Sequence, residues 1–239
     1  MTVHSIRRLG FSAFGALGVL AACGGGGGDV TPTVAPSIAV PTAFALAAGY
    51  KARIASGASD TFNLSGSCSG TASISTAAAV PATFEGVTGY SSAQLSSVTF
   101  TNCAPATSSA TGATYYNASY ATIGLSIVGG EYASFAAPPS DLPATVKVGD
   151  SADVATLTTY TSSTKTVAKG RRVLSYVIEG DTNTTVIANL ITRSYDLGNV
   201  LLSTEQSRYH VAENGALTRA TIDVQFSGTS TLHLLYTPK

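Results

Sequence analysis

The chain has 239 residues, enough for one large domain or two small ones, each with a buried core. Hydrophobic residues make up 44% and charged residues only 11%, against roughly 25% in an ordinary soluble domain. Thr, Ser, Ala and Gly take up the difference, and 13 basic side chains balance 13 acidic ones. No basic patch is left to hold a phosphate backbone, which excludes nucleic acid as a partner.

The chain opens on Arg7 and Arg8, followed by a 14-residue apolar run from Leu9 to Ala22. At 1.5 Å per residue that run spans about 21 Å, short of the roughly 30 Å hydrocarbon core of a bilayer. The pattern is that of an export signal rather than a membrane-spanning helix. Leu20-Ala21-Ala22-Cys23 closes it. These four residues resemble the lipobox of bacterial lipoproteins, a large aliphatic residue and two small ones before the Cys. The resemblance implies cleavage before Cys23, diacylglycerylation of its thiol and anchoring in a membrane. Two or three acyl chains hold durably where one alone is marginal. Residues 1–22 contain Arg7 and Arg8 and no acid, so the mature chain carries 11 basic and 13 acidic side chains, a formal charge of −2.

Gly24 to Gly28 and the prolines Pro32, Pro36 and Pro41 make residues 23–42 a lipidated Cys followed by a flexible tether. At about 3.1 Å per residue, 31–41 alone reaches roughly 35 Å. Gly24 directly after the Cys, rather than Asp, resembles lipoproteins sorted to the outer membrane.

From residue 43 onward nothing reads as helix; period-two alternation broken by Gly, Asn, Asp and Pro recurs instead. Strands are expected at 44–56, 61–67, 70–76, 94–102, 113–127 and 131–135, with Ala104–Gly112 as a Ser/Thr-rich loop. Cys68 and Cys103 remain once Cys23 is lipidated, and in an oxidising compartment they pair. Their closed loop of about 36 residues is worth roughly 3.5–4 kcal/mol by chain entropy. Pro138, Pro139 and Pro143 cannot join a continuous ladder and mark an internal boundary. It divides a disulfide-stapled, sandwich-like β half at 43–137 from a second half at 144–239. Whether the halves are two units or share one sheet system is left open by the residues.

The second half alternates more cleanly, with strands expected at 154–160, 173–179, 185–195, 200–211 and 220–226 and a last one around Leu232, Leu234 and Tyr236. Gly180-Asp181-Thr182-Asn183, Asp196-Leu197-Gly198-Asn199 and Glu213-Asn214-Gly215 separate them. Connections this short join antiparallel neighbours, so 144–239 is an antiparallel meander and the chain as a whole is all-β. The complete pattern resembles uncharacterised bacterial lipoproteins, with a lipobox, a Gly-rich tether and a β-rich envelope module, and that resemblance carries no known activity.

The search for chemistry yields few candidates. Gly66-Ser67-Cys68-Ser69-Gly70 places a Cys where a hydrolase elbow needs Ser, and no helix pattern follows. His210 and His233 are the histidines left after cleavage, and each sits on the polar side of an alternating strand. Asp150 and Asp153 are candidates for a Ca²⁺ loop, although two acids three apart in a turn are more often solvated turn formers. Glu179 and Asp181 invite comparison with a glycosidase pair, but no second carboxylate is fixed across a cleft. Tyr115, Tyr116 and Tyr120 suit a β surface that touches a glycan or an envelope protein. No cofactor is called for.

Three readings result. The first is a non-enzymatic, membrane-anchored β module with a structural, adhesive or ligand-binding role. The second is a carrier with an apolar ligand in a half-barrel, lined by Ile222, Val224, Phe226, Leu232 and Leu234. The third is an envelope hydrolase.

Overall fold

The computed structural model describes residues 43–227 and 232–239, so the signal segment, Cys23 and the tether lie outside the described residues. The fold is all-β, and among the described residues one helix, α1 (Leu46–Ser56), precedes the strands. The first strands are β1 (Ala58–Gly66), β2 (Gly70–Thr76), β3 (Val80–Phe84), β4 (Val87–Phe100), β5 (Thr107–Asn117), β6 (Thr122–Ile127) and β7 (Tyr132–Phe135). Then come β8 (Ser151–Tyr160), β9 (Ala168–Gly180), β10 (Thr185–Asp196), β11 (Leu201–Ala212), β12 (Leu217–Phe226) and β13 (Leu232–Pro238).

Every pairing is antiparallel, and the sheet closes on itself. From β4 to β13 each strand lies beside the next, β13 returns to β1 from Phe62↔Pro238 to Gly66↔Leu234, and β2 meets β4 from Gly70↔Phe100 to Thr76↔Gln94. β3 pairs with the first half of β4, the stretch that β2 does not reach. The product is a closed barrel of 12 strands in place of the expected sandwich-like half followed by a meander. Closure removes the exposed edges that a sandwich would leave. β7 and β8, on either side of the proline-rich segment, pair directly, so both halves of the chain share one sheet.

Registers sort the side chains. The parity of Phe62, Leu64, Ala72, Val98, Phe100, Leu157, Ile178, Val211, Ile222 and Leu234 faces inward, and all ten are buried. The opposite parity carries Thr61, Asn63, Thr71, Ser73, Ser97 and Thr99, all exposed. On β4 the same outward parity also carries Ala93 and Leu95, both exposed.

The barrel has two dissimilar ends. At the end with the β1–β2 and β4–β5 connections, Phe62, Leu64, Val98, Phe100, Val224, Leu234 and Tyr236 fill the interior, with the Phe62 and Tyr236 rings edge to face at 5.8 Å. The Cys68–Cys103 disulfide joins those two connections, as expected from the cysteine count. At the other end α1 and the 136–150 segment lie across the mouth. Phe44 and Val146 form a two-stranded bridge, and with Leu46 they pack on Tyr176, Ile178, Val186, Ala188 and Val211.

The helix corrects the strand expected at 44–56. Leu46-Ala-Ala-Gly-Tyr-Lys-Ala-Arg-Ile-Ala-Ser is rich in helix formers, and its buried residues Leu46, Gly49 and Ile54 share a helical face. Gly57, at φ 73°, ends it. The alternation of Tyr50, Ala52 and Ile54 imitates a strand because so many of the intervening residues are small. A second correction concerns Ala104–Gly112, whose latter part is strand: β5 begins at Thr107 and pairs with β4 along its length. A third is β3, absent from the expected set because Val80-Pro-Ala-Thr-Phe is short and contains a proline. That proline sits on an edge strand, the position where a missing amide donor costs nothing.

Candidate binding cavity

Between the packed far end and the α1 mouth the barrel keeps a cavity of about 280 Å³. Its walls combine apolar side chains, among them Ile54, Ile74, Leu125, Leu157, Leu174, Leu190 and Ile222, with a set of charged and aromatic groups. α1 supplies Tyr50 and Arg53, β9 supplies Arg172, β11 supplies Glu205, Ser207 and Tyr209, and β12 supplies Arg219. Pro139, Ser140 and Leu142 of the 136–150 segment complete the wall near the mouth. The volume lies at the lower edge of the range for small-molecule sites, and an apolar wall with a few converging polar groups is their usual composition.

The polar groups form two knots. In the first, Asp60 accepts from Arg53 Nη2 at 2.5 Å and from Arg219 Nε at 3.4 Å. Arg219 Nη1 also donates to Ser207 Oγ at 2.5 Å. The Tyr209 ring is flanked by both guanidiniums, 5.2 Å from Arg53 and 4.1 Å from Arg219, an attraction that strengthens as water is excluded. In the second, Glu131 receives Arg172 at 2.7 Å and Lys169 at 3.3 Å. Glu205 is buried in the wall, and burial pushes its carboxyl well above the usual range although the Arg172 and Arg219 guanidiniums pull it down. Burial likewise raises the Tyr50 phenol to about 12.

The expected sites fall in different places. Tyr116 and Tyr120 correct the expectation of a binding surface: both are buried, packed with Ile54 of the helix and with Tyr50 and Tyr90. Tyr116 lines the cavity, because the β5 register turns it inward opposite Tyr90. Tyr115 points the other way, half-buried, its ring stacked on Phe84 at 4.1 Å between centroids. Asp150 accepts the Lys147 amide at 2.9 Å and so closes a turn, and Asp153 is exposed at the start of β8. Among the described residues no group of three His, Cys, Asp or Glu side chains is arranged to hold a metal.

His210 and His233 are half-exposed on the outer wall, where His210 meets Asp181 at 2.8 Å and His233 meets Asp223 at 3.1 Å. Glu179 is held by Arg208 at 3.1 Å and by the Asn189 amide on the same outer face. Of the five residues expected along a half-barrel cavity, Ile222 lines it, whereas Val224 and Leu234 belong to the packed far end and Phe226 and Leu232 lie against it.

The charged wall was missed in the sequence. For Glu205 and Arg172 a signal existed, since each shares the parity of apolar neighbours: Tyr209 and Val211 for one, Leu174, Tyr176 and Ile178 for the other. For Arg219 there was none. The β11–β12 register shifts between Arg208 and Tyr209, pairing Tyr209 with Arg219 and Arg208 with Thr221. That bulge turns Arg219 inward against the alternation of Ile222, Val224 and Phe226. Comparison with protein-family models, curated proteins and solved structures finds no match, so the geometry of the lumen alone carries the assignment that follows.

Proposed function

We propose that the chain is a non-enzymatic envelope lipoprotein, anchored through Cys23, that holds a small and largely apolar ligand inside its barrel. The observation that carries this reading is the 280 Å³ lumen, apolar over most of its wall and provided with guanidiniums and a buried carboxyl. A barrel built only as a spacer or scaffold would gain by filling that space. Each buried apolar side chain is worth about 1.5–3 kcal/mol, and an empty cavity forfeits roughly 24 cal/mol per Å³. The lipobox and the Gly-rich stretch support the anchor and the tether, and the Gly after Cys23 supports the outer membrane as destination.

The test is mass spectrometry of the full-length protein extracted from its own membrane. Under native conditions the expected result is one additional mass per chain that denaturation releases. After denaturation an acyl mass should remain on the wild type and be missing from Cys23→Ser. A native mass equal to the denatured one, with no small amphiphile raising the melting temperature, would overturn the carrier reading. Equal covalent mass on wild type and Cys23→Ser would overturn the anchor.

A further inference from the structure

Resting on that carrier reading, we infer that the lumen selects an amphiphile with a single anionic head, a carboxylate on an apolar body, of about nine non-hydrogen atoms in all. The size follows from the cavity, since 280 Å³ holds about nine volumes of roughly 30 Å³, the share of one water.

The charge follows from the bookkeeping of the two knots. Arg53 and Arg219 share one carboxylate, Asp60, and Arg172 and Lys169 share another, Glu131. The two knots together hold four cations and two committed anions; of their members Arg53, Arg172 and Arg219 line the cavity, and Glu205 is the acid that lines it. One positive charge is in surplus while Glu205 is ionised, and two when it holds its proton. Burial drives Glu205 toward the protonated form, which enlarges the surplus. A surplus charge in a low-dielectric interior is costly unless an anion joins it. The guanidinium supplies a planar fork that matches a carboxylate and that an ammonium lacks.

Geometry places this head near Tyr209. Arg53 and Arg219 flank its ring, so their unshared N–H groups lie beside an apolar, cavity-facing surface. The tail then runs toward Leu157, Leu174 and Leu190.

Octanoate and 1-octanol, of matched chain length, are the probes, titrated calorimetrically into the delipidated full chain at pH 6. Octanoate is expected to bind at least tenfold more tightly than octanol, and Arg53→Gln to reduce that preference to threefold or less. Should Arg53→Gln fail to fold, Glu205→Gln is the second variant. It removes the competing carboxyl: octanoate affinity is expected to fall with rising pH in the wild type and to stay level in the variant. Octanol binding as tightly as octanoate overturns the anionic head and leaves the carrier standing. Binding of neither probe overturns the anionic head together with the carrier reading.

Discussion

Glu205 is the residue at which the interior chemistry becomes measurable. Its carboxyl is buried beside Arg172 and Arg219, and desolvation outweighs both guanidiniums, so its folded-state pKa stands well above the ordinary value of 4.5. From about pH 4.5 upward the unfolded chain releases this proton while the barrel retains it. Stability therefore falls with rising pH until the folded group itself ionises. Two other carboxyls act with the opposite sign. Asp181 is held low by the Thr185 hydroxyl and by His210, and Glu85 by Lys165 and the Tyr132 hydroxyl. Each contributes stability above the ordinary carboxylate range and loses it only as pH falls through its lowered pKa. Urea denaturation of wild type and Glu205→Gln between about pH 5 and 8 separates these effects. The variant should be flatter with pH and gain on the wild type as pH rises, and a constant difference would mean that Glu205 titrates normally. Nothing in Ser203-Thr204-Glu205-Gln206-Ser207 announced this carboxyl beyond its parity with Tyr209, and polar neighbours on both sides concealed even that.

Helix α1 is the element that packs across one mouth of the barrel. Its seat depends on a close approach at Gly49: a Cβ there would lie 1.7 Å from the Gly215 carbonyl oxygen and 2.2 Å from Leu217 Cδ1. Gly215 makes the β11–β12 turn at φ 84°, a conformation that favours glycine, and so brings that carbonyl against the helix. In an unconstrained helix Gly→Ala is worth about 1 kcal/mol of stabilisation. Here the sign should reverse. Gly49→Ala is expected to cost roughly 1–3 kcal/mol, the usual toll of overpacking, and to speed hydrogen exchange at α1 amides more than in the barrel strands. A stabilised variant would mean that the helix does not sit against the turn. The strands were readable because alternation survives wherever one face is apolar, from β8 through β13 above all. The helix was not, because six of its eleven residues are Ala, Gly or Ser and its apolar face is made of only a few side chains.

At the scale of the whole molecule, closure depends on contacts that no local pattern encodes. The β1–β13 seam joins Phe62 to Pro238, and the β2–β4 seam steps over β3, so the sheet closes only when residues remote in the chain have met. Alternation fixes which side chains share a face but not whether a sheet curls into one ring or stacks as two layers, and for that reason the barrel was not legible where all-β was. The disulfide lies at the second of these seams, in the connections that flank β2 and β4 at the packed end. Its two cysteines are 35 residues apart, a span whose release gives the unfolded chain roughly 3.5–4 kcal/mol of conformational entropy. Cys68 is also fully buried among Phe62, Leu64 and Phe100, so the replacement should keep an apolar side chain of similar bulk. The variant Cys68→Val with Cys103→Ala is therefore expected to lower the urea midpoint by up to that amount of free energy. The slope with denaturant should rise, because an uncrosslinked unfolded chain exposes more surface. Octanoate affinity should change by less than twofold, since the cavity lies toward the opposite mouth and neither cysteine lines it. Loss of binding in a variant that still melts cooperatively would show that the two ends of the barrel are coupled, and the packed end would then be part of the site.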